Sequence, residues 1–395
     1  MMFLFFPDVF RCQRSPRRIR LVGALYLLLV CLFAPPASAM HVVFISPGKS
    51  NEPFWMDAIE GLQHAATSLG VELEVLHAER DHLAQLSLAR DVSRRPSGQR
   101  PDYLLVSAEK QVLPGQLQIA EQAGIRVFAA YNGVLESERE MLGYPRDRLK
   151  HWLGSLVPDA EEAGYLSARS LILQGLQQFP ASRSQRLEMV AISGDRSTDS
   201  SRRRTRGMHR AVAEFTEVRL RQNVYGEWRR DNARYQTPIL LERYPQTRLV
   251  WTGNDLMAYG AIEGARSLGR TVGRDLVVST VNMTEQATRA LLDGEVQVVV
   301  GGHHLAAAWA LVVLYDYENG VDFADSEGLE MEKSMFALFD RSMAEDYLGY
   351  LAAGRPAVNY RRFSKVLNPA VKSYDFSIRG WLAAANEAVL DSGGR

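Results

Sequence analysis

The chain has 395 residues with 46 basic and 46 acidic side chains, so its formal net charge is zero. Five arginines lie in the first 39 residues, which leaves the remainder slightly acidic and argues against nucleic acid as a partner. Both cysteines, Cys12 and Cys31, sit in that same segment, so the rest must fold without a disulfide, as a protein with a large core can.

The first element is a leader. Arg11, Arg14, Arg17, Arg18 and Arg20 precede the apolar run 21–33, which is short for a membrane span, and Ala37-Ser38-Ala39 supplies small residues for a signal peptidase. Residues 1–39 therefore read as a cleaved export signal, with the mature chain starting at Met40; an uncleaved anchor helix is the alternative. Arg17-Arg18 hints at the twin-arginine route, but Arg20 stands where an apolar residue is expected.

From Met40 onward, short β-branched runs alternate with helical periodicity. Strands are expected at 41–45, 71–76, 103–107 and 125–130, with helices over 54–69, 82–92 and around 118–122. After a break at Leu156-Val157-Pro158-Asp159, a second series places strands at 187–193, 218–224, 248–252, 276–281 and 296–300. Helices are expected between them at 203–215, 231–243, 256–268 and 285–292. Continuous apolar strands separated by helices are the pattern of parallel sheets covered on both faces. The expected fold class is α/β, with two doubly wound parallel-sheet lobes and no low-complexity linker between them. Residues 40–157 and 303–360 are assigned to the N-terminal lobe, and 158–302 and 361–395 to the C-terminal lobe. The stretch 318–395 shows helical pieces at 343–351 and 381–389 but little regularity.

Several stretches suggest chemistry and fail on inspection. Gly48-Lys49-Ser50 ends like a phosphate loop, yet Val43 stands where the first glycine is needed and Pro47 removes an N–H from the turn. No G-x-G-x-x-G follows a strand, and neither G-x-S-x-G nor H-E-x-x-H occurs. His303-His304 are adjacent, a poor spacing for chelating one ion, and fit a hinge or helix start better. No enzyme activity, cofactor or metal is implied. As a strand-to-helix turn, however, the first stretch is coherent: Ser50 or Asn51 can cap, Pro53 suits the first turn, and Phe54 and Trp55 fall at the carboxyl edge of the sheet. Each ring either packs in the core or walls a ligand site.

The strand followed by SNEPFW and a helix running into HAATSLGVELEV resembles the opening of the type I periplasmic solute-binding proteins of the ribose and galactose type. The resemblance extends through TGNDLMAYGA at 252–261 and returns at Asp293-Gly294. It implies two lobes joined by a three-crossover hinge, with a ligand trapped as they close. Position by position, it implies ligand contacts from Asn51, Phe54 and Trp55, from Tyr131 and Asn132, from Arg202, and from Trp228. Asn254 and Asp255, Asn282, and His303 beside Gly302 complete the set. Bland readings stand beside these: Arg202 lies in an arginine run that could be a solvated face, and Asn254-Asp255 could simply cap a helix. Where sugar binders often carry carboxylates, Tyr131-Asn132 and Asn282 stand instead, so a neutral or partly anionic polyol suits the cleft better than a cation. The resemblance implies a monomer that delivers a sugar-like ligand to the permease of an ABC importer. The autoinducer-2-binding branch supplies the alternative, a sensory subunit signalling to a membrane histidine kinase or other receptor.

Overall fold

The computed structural model describes residues 39–179 and 185–393; the export signal expected over 1–39 lies outside them except for Ala39. The first sheet is built by β1 (His41–Ser46), β2 (Glu72–His77), β3 (Tyr103–Val106), β4 (Arg126–Ala130) and β5 (Trp152–Pro158), all parallel. The second is built by β6 (Leu187–Ser193), β7 (Val218–Tyr225), β8 (Thr247–Thr252), β9 (Val277–Val281) and β10 (Val298–Gly301), also parallel. A late strand extends each edge: β11 (Glu330–Lys333) joins β5, and β12 (Ala337–Leu338) joins β10 antiparallel. The sheet orders are then β11-β5-β4-β3-β1-β2 and β12-β10-β9-β8-β6-β7, the same design twice. In each sheet the order reverses beside the lobe's first strand, so both lobes open a crevice at the carboxyl ends of β1 and β3 or β6 and β8.

The helices cover the sheets. In the first lobe these are α1 (Pro53–Leu69), α2 (His82–Ser93), α3 (Leu113–Ala123) and α4 (Glu136–Leu142). Pro53 occupies the first turn of α1, and Gly70 ends it in the left-handed conformation (φ 70°). The second lobe carries α5 (Ala160–Gln178), α6 (Asp199–Ala213), α7 (Arg230–Arg243), α8 (Asp255–Ser267) and α9 (Glu285–Leu292). Helices α5 and α6 approach backbone to backbone: a Cβ on Gly164 would overlap the carbonyl of Arg204, and one on Gly207 that of Glu161. That contact sets α6 where its first turns reach the other lobe.

The chain passes between the sheets three times, at 158–160, 301–303 and 333–337, as the three-crossover hinge requires. A fourth passage follows. After α10 (Ala306–Glu318) of the first lobe, α11 (Arg341–Ala352) packs on α9 of the second, and the chain then returns to end in α12 (Ile378–Gly393). Residues 361–395, expected with the second lobe, are therefore tied to the first as far as 393, and 337–352, expected with the first, belong to the second. The cause is Asp316 of α10, fully buried, whose carboxylate accepts hydrogen bonds from Ser364 Oγ, the backbone N–H groups of Lys365 (2.7 Å) and Val366 (3.3 Å), and Tyr374 Oη (2.9 Å). A buried carboxylate needs such donors, and the tail provides them. Among the described residues no helix is long and apolar enough to cross a membrane.

Candidate functional site

Between the facing crevices lies a cleft lined by residues of both lobes. The first lobe contributes an aromatic wall. Trp55 packs against Gly48, where a Cβ would come within 1.8 Å of the indole. Tyr131 meets Trp55 edge to face at 5.0 Å, and Phe54 stacks on His303 at 4.8 Å. Tyr131 is held left-handed (φ 67°), and its hydroxyl donates to the carbonyl of His304 at 2.7 Å, so that group is spent on the hinge.

The second lobe repeats the device. Trp228, also left-handed (φ 60°), rests on Gly194, and its Nε1 donates to Asp195 at 2.7 Å. Asn254 is a cap that also lines the cleft: its Oδ1 caps α8 by accepting from Met257 N (3.0 Å), and its Nδ2 donates to the carbonyl of Trp228 (3.3 Å). Asn282, at φ 103°, lines it too. Its amide donates to Asp255 (2.8 Å), which also accepts from Thr284 Oγ1 (2.6 Å) and Leu256 N (3.0 Å). Asp255 thus sits behind the wall as a positioner of Asn282, and burial pushes its carboxyl upward.

Three expected residues stand elsewhere. Asp255 does not face the cleft; Asn51 is exposed and lines the outer mouth with Lys49, Glu79 and Lys110; Arg202 is exposed on α6. Arg204 reaches the cleft in place of Arg202. Its burial on α6 follows the spacing Ser201, Arg204, Gly207, Met208, Ala211, a helical face visible in the sequence had the run of arginines been read by period. Arg204 Nη1 donates to the carbonyl of Gly253 (2.8 Å) and Nη2 lies 2.9 Å from His303 Nε2. Burial pulls the guanidinium pKa down to about 10, so it stays charged, while burial and that adjacent charge hold His303 well below its ordinary range and neutral.

A charged cluster of the first lobe also lines the cleft, and no sequence motif announces it. Arg80, left-handed (φ 66°), is forked between Glu52 and Glu109, with Nε 2.8 Å from Glu52 Oε2 and Nη1 2.9 Å from Glu109 Oε1. These residues come from three separate loops, so no local pattern announces them. Phe336 and Ser200 also line the cleft unforeseen. The lobes touch across it: Asn132 Oδ1 accepts from Ser200 N (3.3 Å), Gly133 N donates to Asp199 (3.2 Å), and Lys110 faces Glu227 at 3.5 Å. This is a closed arrangement, with the first turn of α6 docked on the opposite lobe.

Comparison with known families places this geometry. The family model of the periplasmic binding protein domain matches residues 42–321. The chain belongs to the periplasmic binding protein family. A solved periplasmic sugar-binding protein from Pseudomonas fluorescens is 37% identical, superposes with a TM-score of 0.77, and covers 89% of this chain and 99% of its own. Among curated proteins, the D-allose-binding periplasmic protein of Escherichia coli is 25% identical over 60% of this chain and 71% of its own length. The D-apiose import binding protein of Actinobacillus succinogenes is 22% identical over 64% and 73%. The two lobes of this periplasmic binding protein are thus the type I sugar-binding fold, and its tail beyond residue 321 lies outside the family model.

Proposed function

We propose that this periplasmic binding protein is exported to the periplasm, captures a sugar or sugar-like polyol between its lobes, and hands it to the permease of an ABC importer. The observation that carries this reading is the cleft itself, walled from both sides by indole rings and side-chain amides. Sugars present apolar C–H faces and hydroxyl edges, which aromatic planes and amide or guanidinium forks match. Phe54, Trp55, Asn132, Arg204, Trp228, Asn254, Asn282 and His303 are the proposed contacts, with Tyr131 a wall rather than a hydrogen-bonding group. Closure follows because ligand touching both lobes favours the state in which both sets of contacts form. The names of the relatives, which bind or import sugars, point the same way.

A thermal-shift screen of pentoses, hexoses and their derivatives against the mature protein tests the binding half. At least one sugar should raise the melting temperature, and Trp228→Ala should abolish the rise; a silent panel, or an unchanged shift in the variant, overturns it. Permease and ATPase genes beside its own are the expected context for the import half, and a sensor-kinase gene in their place overturns that half.

A further inference from the structure

The buried donors of the cleft have too few acceptors. Arg204 is only 5% exposed, with its guanidinium 5.6 Å from the Trp228 ring and 5.7 Å from the Phe336 ring. Among the described residues no carboxylate lies within ion-pair distance of it, and its Nε is buried without a partner. Asp255, the carboxylate whose charge acts on it, already accepts from Asn282, Thr284 and the Leu256 backbone. An arginine can only donate, so the Nε2 of neutral His303 must accept from it, which leaves the His303 proton on Nδ1. That Nδ1 is buried and unpartnered as well, and so is the Nε1 of Trp55. The unpartnered buried polar atoms of the cleft lining are therefore three donors, one of them on a cation.

We infer that the bound molecule carries a carboxylate seated on Arg204, which makes the ligand a sugar acid such as a uronate or aldonate. This rests on the sugar-cleft reading and narrows it. A buried cation with no carboxylate in ion-pair range is costly, and an anion that arrives with the ligand offsets that cost and accepts from the unpartnered Nε of Arg204. A single guanidinium fits a carboxylate better than a phosphomonoester, which carries up to two negative charges. Glu52 and Glu109, which also line the cleft, share a single guanidinium, that of Arg80, and their excess negative charge disfavours a carboxylate beside them.

Calorimetry with matched pairs tests this: galactose against galacturonate, glucose against glucuronate and gluconate, ribose against ribonate, on the mature protein and on Arg204→Gln. The acid of at least one pair should bind tenfold or more tighter than its neutral parent. Arg204→Gln should weaken the acid about a hundredfold, and the neutral sugar less than tenfold. Neutral parents that bind as tightly as their acids, or an acid-to-neutral ratio unchanged in the variant, overturn the carboxylate and leave the sugar cleft standing. Absence of binding by every acid and every neutral sugar overturns both. If Arg204→Gln does not fold, the wild-type ratio decides alone.

Discussion

Gly48 positions Trp55 by having no side chain. The indole lies on the glycine so closely that a methyl group there must displace the ring. The Gly48-Lys49-Ser50 that imitates a phosphate loop is thus a seat for one wall of the cleft, and Gly194 does the same for Trp228. Gly48→Ala should lower ligand affinity at least tenfold with a modest loss of stability, about 1–3 kcal/mol from overpacking. Calorimetry and urea unfolding check the two parts separately; unchanged affinity would show that Trp55 is core and not wall. Phe54, Trp55, Tyr131 and Trp228 were legible because each follows a strand end in the sequence; Phe336, which precedes β12, was not. Arg80 and Glu109 were not, because only the closing of three loops brings them beside Glu52. Arg202 and Arg204 look alike within one run of arginines until the helix register separates an exposed position from a buried one.

At the level of elements, the alternation of strands and helices was readable wherever strands were apolar and helices two-faced. It failed at β5 and α5. β5 runs into the break read at Leu156-Val157-Pro158-Asp159, and its Gly154 is needed because a Cβ would overlap the carbonyl of Leu329. Helix α5 hides its periodicity behind Gly164 and Gly175, which allow α6 and β8 to come close. The tail was opaque for another reason: its partners are distant. Asp316 gathers four donors from 364–374, and Arg355 donates to Asp57 (2.8 Å) and Glu60 of α1. Asp316→Ala should cost on the order of 3 kcal/mol, since it strands buried Ser364 and three part-buried donors at once. Urea unfolding measures this directly. A loss below about 1 kcal/mol would mean that the tail is held chiefly by the packing of Tyr360, Phe363 and Trp381.

For the whole molecule, the hinge and the tail meet at His304. Its carbonyl accepts from Tyr131 in the first lobe, its ring lies edge-on to Trp381 of α12, and it is buried at the second crossover. Burial, helped by the charge of Arg355, lowers its pKa to about 3, so it stays neutral in the folded protein. In the unfolded chain the same group takes up a proton below its ordinary value near 6.5. The unfolded state therefore binds more protons between these limits. The contribution of His304 to stability is fully present above pH 6.5 and is lost as the pH falls toward 3, at about 1.4 kcal/mol per unit. His304→Gln removes this titration. Whatever the substitution costs at pH 6.5, the variant should recover about 2 kcal/mol relative to the wild type by pH 5, read from urea unfolding at the two values. A difference that stays constant with pH would mean that His304 is protonated within the fold, and its burial between lobe, hinge and tail would then have to be looser than the structure has it.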